Sequence, residues 1–184
     1  MDTYQKIIET AIVVLNEDFS ATVEDIATNC GLNRRTLHRY FKSRQELLEA
    51  CYSTMMAEWK DAAKQAFDEA GTPLLQLEQL LYAGINSGTK YTFLTKLMEV
   101  ESFSSSAQTE KNDDYLKMRN ELFGSIQTLQ KEGLIEETLP IAWIRMLFTS
   151  IVTATVMASR SGDIAPNDVK RLAWYSFRKS IGIH

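Results

Sequence analysis

Chain breakers are scarce. Glycine occurs 8 times and proline 3 times in 184 residues, about half their usual combined share of roughly 12%. That scarcity argues against a fold of many tight turns, leaving long helices as the expectation. Cysteine is equally sparse. Cys30 and Cys51 form no disulfide framework, and each sits among apolar residues, as a small core hydrophobe does. The only histidines are His38 and His184. No Cys/His set has metal-ligand spacing, and a Ser or Cys nucleophile would have little but His38 to activate it. A glycine-rich phosphate loop is missing as well. Nothing in the chain points to an enzyme, a metal centre or a cofactor. The N-terminus lacks the basic and apolar segments of a signal peptide. The longest charge-free apolar stretch, Met146 to Ser159, falls short of a bilayer's thickness and is guarded by Arg145. A cytoplasmic protein without membrane contact is expected. Alternating strand patterning and internal repeats are absent too.

What remains is an ordinary globular balance, 45% hydrophobic and 24% charged with a net charge of −4. It excludes disorder, and the chain is long enough to bury a sizeable core. The acidic excess argues against bulk coating of nucleic acid but leaves local patches open.

The apolar period is helical almost throughout. Ile8, Ala11, Leu15 and Phe19 mark a first helix. Thr22-Val23-Glu24-Asp25 reads as a slightly weak capping box. The short second helix behind it turns Val23, Ile26, Ala27 and Cys30 to one face and ends at Gly31. Asn33 caps a third helix with Leu37 and Phe41 inside. Ser43-Arg44-Gln45-Glu46 reads as a full capping box opening a fourth helix to about Ala70. Thr72-Pro73 starts the next, and Gly84 and Gly88 bracket a break before Tyr91–Val100. Ser102–Ser106 reads as a polar linker and Ala107–Glu132 as one long helix stopped by Gly133. Pro140 opens a helix to about Arg160, and Pro166 opens the last, to about Ile181. The chain divides into an all-α head, residues 1–45, and a helical remainder, residues 46–184, with the fourth helix straddling the join.

The second and third helices are joined by Asn29-Cys30-Gly31-Leu32, a short glycine-containing turn of the helix-turn-helix kind. Arg34, Arg35, Arg39, Lys42 and Arg44 follow without an intervening acid. Arg35, His38 and Arg39 fall on one side while Leu37 and Phe41 face inward. Such an outer face fits the major groove, where arginine can make two hydrogen bonds to guanine. Thr22 and Ser43 open helices whose free N–H groups suit phosphates, and phosphate contacts would fix the register. The plain alternative is a solvated basic face on a helical hairpin.

Residues 21–48, ATVEDIATNCGLNRRTLHRYFKSRQELL, resemble the DNA-binding region of the TetR family of transcriptional regulators. The resemblance rests on Thr22, Ile26-Ala27, Gly31, the run Thr36-Leu37-His38-Arg39-Tyr40-Phe41, and Ser43-Arg44. It covers about a sixth of the chain. His38 in place of the usual tyrosine, and Arg35 where a small residue is common, are departures that bear on the operator sequence. The resemblance implies that Thr22, Tyr40 and Arg44 meet phosphates, and that Arg34, Arg35, Thr36 and His38 meet bases or nearby phosphates. Asn33, Arg39 and Lys42 complete the candidate DNA-binding set.

The resemblance also implies an effector-binding and dimerisation domain after residue 45. The residues support dimerisation: Trp143, Leu147, Ile151, Val156 and Met157 leave their helix apolar on most sides. Trp174, Phe177 and Ile181 add a second apolar face to the last helix. A homodimer through Trp143, Leu147, Ile151, Trp174 and Phe177 is expected, against the alternative that both helices pack within one chain. Met55, Trp59, Tyr82, Phe93, Met98, Met118 and Phe123 are candidates to line an apolar effector cavity, although such residues are also plain core. Glu99 and Glu101 offer a partner for a cationic ligand or a solvated face. Three functions stay open: a regulator, a repressor in the leading reading, released from double-stranded operator DNA by a small largely apolar effector; a DNA-binding regulator without such a ligand; and a helical module that meets an acidic protein.

Overall fold

The computed structural model describes residues 2–99, 117 and 120–184. Among them the chain forms nine α-helices and no strand. The side chains of Met98 and Glu99 lie outside the described set. So do Met118, Glu101, the 102–106 linker and the start of the helix expected from Ala107.

α1, Thr3–Glu17, begins where the Asp2 carboxylate accepts the Gln5 N–H at 2.7 Å. It buries Ile7, Ile8, Ala11, Ile12 and Leu15 along one stripe, each large aliphatic side chain contributing roughly 1.5–3 kcal/mol. α2 (Val23–Asn29) and α3 (Arg34–Tyr40) follow, with Gly31 between them at φ +69°. That left-handed conformation lets the chain turn within the four residues between the two helices at little steric cost. α4, Arg44–Asp68, runs unbroken from the head into the remainder, with Leu47, Leu48, Cys51, Met55 and Trp59 buried along it. Burial pushes the Cys51 thiol up to about 12, which leaves it an inert core hydrophobe.

α5 (Pro73–Ser87) is capped by Thr72 and gives way at Gly88 to α6 (Thr89–Glu99). Gly84 makes no break. It lies inside α5 where a Cβ would stand 3.1 Å from Val152 Cγ2 and 3.4 Å from the Phe148 ring, so its lack of a side chain admits a neighbouring helix. α7, Gly124–Lys131, follows a turn at Phe123. The single long helix expected to end at Gly133 is thus interrupted within its described part. α8 (Ile141–Ser161) and α9 (Pro166–Ser180) pair, with α8 also resting on α5 and α6.

α8 is longer than its charge-free stretch because Arg145 sits within it, and by length and composition it is apolar enough to cross a membrane. Its inner face is a core face: Ile144, Phe148 and Val152 are fully buried within the chain. Phe148 is the hub, with ring centroids of Phe123, Phe177 and Tyr91 at 5.2, 5.8 and 5.9 Å, all edge-on. Trp59 joins through Tyr91 at 4.9 Å. This aromatic cluster and the aliphatic core of the head form one continuous set of buried residues.

Candidate nucleic-acid interface

The head is assembled by caps. Thr22 Oγ1 accepts the Asp25 N–H, and the Asp25 carboxylate accepts from both the Thr22 hydroxyl and the Thr22 N–H at 2.7 and 2.8 Å. The box is complete rather than weak, because aspartate at this position reaches back fully. Those bonds, the hydroxyl's first, hold the Asp25 carboxyl below its ordinary value. They also occupy the Thr22 hydroxyl, and Glu24 and Asp25 place negative charge in the first turn of α2. The Asn33 side chain accepts the Thr36 N–H at 2.8 Å and fixes the start of α3. At α4 the Ser43 hydroxyl accepts the Glu46 N–H at 3.1 Å, but the Glu46 carboxylate accepts from the Lys42 N–H at 2.7 Å rather than from Ser43. Half the expected box is used there, and the acid braces the residue ahead of the cap.

Leu37 and Phe41 anchor α3 inward, both buried, and Phe41 stacks on Tyr4 with centroids 5.1 Å apart. All ten candidate DNA-binding residues lie on the surface: Thr22, Asn33, Arg34, Arg35, Arg39 and Lys42 exposed, and Thr36, His38, Tyr40 and Arg44 half-buried. Their engagements differ. Arg39 lies over the Tyr40 ring at 5.4 Å. Arg44 donates to the Phe19 carbonyl oxygen and covers the Phe19 ring at 5.0 Å, tying α4 to the loop after α1. Arg34 pairs through Nη1 with the Glu24 carboxylate at 2.5 Å and donates from Nε to His38 Nε2 at 3.3 Å. A run of charges along the third helix alone does not reveal Glu24, which lies on α2. Its partner lies ten positions away across the turn.

The effector candidates are brought together only in part. Met55, Trp59 and Phe123 are buried, and Trp59 and Phe123 belong to the cluster around Phe148. Phe93 points elsewhere, 6.3 Å from Phe19 near the head. Tyr82 lines a different space, an open cleft of about 710 Å³ that also takes in Glu9, Glu58 and Lys90. Its hydroxyl donates to Glu78 at 2.7 Å and burial raises it to about 12. Lys90, unnoticed in the sequence, bridges Glu9 of α1 and Glu58 of α4 at 2.8 and 2.9 Å. Burial would lower its pKa, but its bonds to Glu9 and Glu58 outweigh that and raise it.

The dimer candidates divide as well. Trp143 is 51% exposed, beside Met146 at 62% and Met157 at 67%. Leu147, Ile151 and Trp174 are half-buried against the chain's own core. Phe177 is a correction: it is fully buried, edge-on to Phe148, and gives no surface to a partner. On α9 the exposed apolar side chains are Leu172 and Tyr175.

Residues 7–51 match the family model for bacterial regulatory proteins of the tetR family. Among curated proteins, the chain is 24% identical over 95 residues to the uncharacterized HTH-type transcriptional regulator YvaF of Bacillus subtilis, covering 52% of this chain and 50% of that one. It thus spans half the length of that relative. It is 23% identical over 161 residues to the HTH-type transcriptional repressor LfrR of Mycolicibacterium smegmatis, covering 87% of this chain and 80% of the relative. The solved structure of the TetR-like regulator LfrR from Mycobacterium smegmatis with proflavine superposes with a TM-score of 0.71 at 21% identity, over 97% of this chain and 96% of the other.

Proposed function

We propose, from the match of residues 7–51 to the family model for bacterial regulatory proteins of the tetR family and from the fold that the chain shares with a solved TetR-like regulator, that this is a homodimeric repressor. It binds a pseudo-palindromic operator and is released by a small, largely apolar ligand. The observation that carries the DNA-binding reading is the outer face of α3. Arg35 and Arg39 stand exposed there while Leu37 and Phe41 lock the helix onto the head. Such a helix enters the major groove with arginine donors toward base edges. A two-fold pair sets two of these helices about one turn, roughly 34–36 Å, or a multiple of it apart.

The division into a head to residue 45 and an effector domain beyond it belongs to this reading. α4 couples the two, since Leu47 and Leu48 are buried at its head end and Trp59, further along, joins the aromatic cluster of the remainder. A ligand that parts Trp59 from Tyr91 shifts α4, and a coupling of about 1–3 kcal/mol per site suffices to alter operator affinity severalfold or more. The burial of Met55, Trp59 and Phe123 within the chain's own core favours a second reading, a regulator without a small-molecule ligand.

Selection of duplexes from a random-sequence pool tests the first claim, and enrichment of an inverted repeat is expected. A fluorescence screen against planar apolar cations, starting with proflavine, tests the second. A compound that binds without changing operator affinity would remove the effector role.

A further inference from the structure

Glu24, Arg34 and His38 form a chain of contacts across the helix-turn-helix. The Glu24 carboxylate, on α2, holds Arg34 Nη1 at 2.5 Å. Arg34 Nε then meets His38 Nε2 at 3.3 Å, one turn along α3. Arginine stays protonated and only donates. His38 Nε2 is consequently the acceptor, and in the neutral ring the hydrogen sits on Nδ1. We propose that Glu24 is a positioning residue for DNA reading: by anchoring Arg34 it fixes the His38 ring in the Nδ1–H form, leaving that N–H as the ring's donor to a base. This rests on the DNA-binding reading of α3 given above.

The chemistry selects the target. A neutral donor seeks an acceptor on the major-groove edge, such as purine N7, guanine O6 or thymine O4, and gains nothing from the amino groups of adenine or cytosine. Without Glu24, the guanidinium is free to swing toward phosphate, His38 Nε2 loses its donor, and the ring returns to the Nε2–H form that a solvated neutral imidazole prefers. The pair is largely solvent-exposed, Arg34 at 67% and Glu24 at 47%, so it adds little to stability. Its effect is on geometry and proton placement. Glu24 also brings negative charge to a surface that meets phosphates, a reason for its absence if affinity alone mattered.

Two measurements on the full-length protein test this. The first is ¹⁵N NMR of histidine-labelled protein at about pH 8.5, above the ordinary histidine range. His184, the second histidine of the sequence, serves as an internal reference. Wild type should show the Nδ1–H form for His38, and Glu24→Gln and Arg34→Ala should both move it toward Nε2–H. An Nε2–H ring in wild type, or one unmoved by Glu24→Gln, would overturn the proposal irrespective of any DNA. The second compares affinity for the best selected duplex and for random duplex. Glu24→Gln should keep or raise random-duplex affinity and lower the selected-to-random ratio by about two- to tenfold, the worth of one hydrogen bond. An unchanged ratio overturns the positioning role, whereas a wild type that prefers no duplex overturns the DNA-binding reading itself.

Discussion

Introducing a carboxylate at Met146 tests the face of α8 that the chain's own core leaves bare. Met146 is 62% exposed, Met157 67% and Trp143 51%, and they recur along one stripe of α8. Leu172 at 37% and Tyr175 at 53% add exposed apolar side chains on α9, the helix that packs against α8. Each of these side chains leaves about 100 Å² in water, given that an aromatic residue can bury roughly 150–250 Å². The face then offers about 500 Å² per protomer, and a symmetric pair removes about 1,000 Å², the threshold of a specific interface. At about 25 cal/mol per Å², each covered side chain contributes about 2.5 kcal/mol. A two-fold axis brings every substitution in twice. Met146→Glu therefore forfeits about 5 kcal/mol of apolar burial, before any penalty for burying the charge, and the dimer should weaken by about a thousandfold or more. Analytical ultracentrifugation reads this directly. Wild type should sediment as a dimer at micromolar concentration and Met146→Glu as a monomer with unchanged helical content, because Met146 supports no core contact. A monomeric wild type, or a variant that dimerises as tightly, would refute the reasoning.

Other substitutions separate stability from recognition. Arg44→Ala removes the bond to the Phe19 carbonyl and the cover over its ring, so urea denaturation should show a loss of about 2–3 kcal/mol while affinity falls alike for every DNA sequence. Lys42→Ala should change affinity with a stability effect under about 0.5 kcal/mol. Gly84→Leu drives a side chain into Val152 and Phe148 and should cost about 1–3 kcal/mol. Gly84→Ala should stay within about 1 kcal/mol, since better helix propensity offsets the 3.1 Å contact. The folded Asp25 carboxyl titrates below its ordinary value, so its contribution is present above the unfolded value and is lost as pH falls through the folded one. Asp25→Asn should lower stability at neutral pH and flatten the acid limb below about pH 4, as read by melting temperature across pH.

The head was legible because its boundaries are set by local chemistry. Thr22, Asn33 and Ser43 all act as caps, and Gly31 holds the turn its position implies. Gly84 was misread because glycine as a breaker and glycine as a close-approach site look alike until the neighbouring helix is in place. Phe177 was assigned to a partner because an apolar face does not say what covers it; Phe148, far along the chain, supplies the cover within one subunit. Phe93 and Phe123 carry the same ring but meet different neighbours, Phe19 and Phe148, a difference set by packing alone. Glu24 and Lys90 matter through partners on other helices, and a charge pattern read along one helix cannot reveal such pairs.

The central claim is that α3 reads base sequence, and the direct measurement is affinity for a selected duplex and a random duplex across a salt series, in wild type and Arg35→Ala. With three or four phosphate-contacting side chains per subunit, the account predicts a log–log salt slope of roughly −5 to −7 for wild type. Arg35→Ala should lose about 1–3 kcal/mol on the selected duplex and much less on the random one. Equal losses on both duplexes, or wild-type binding that ignores sequence, would contradict it.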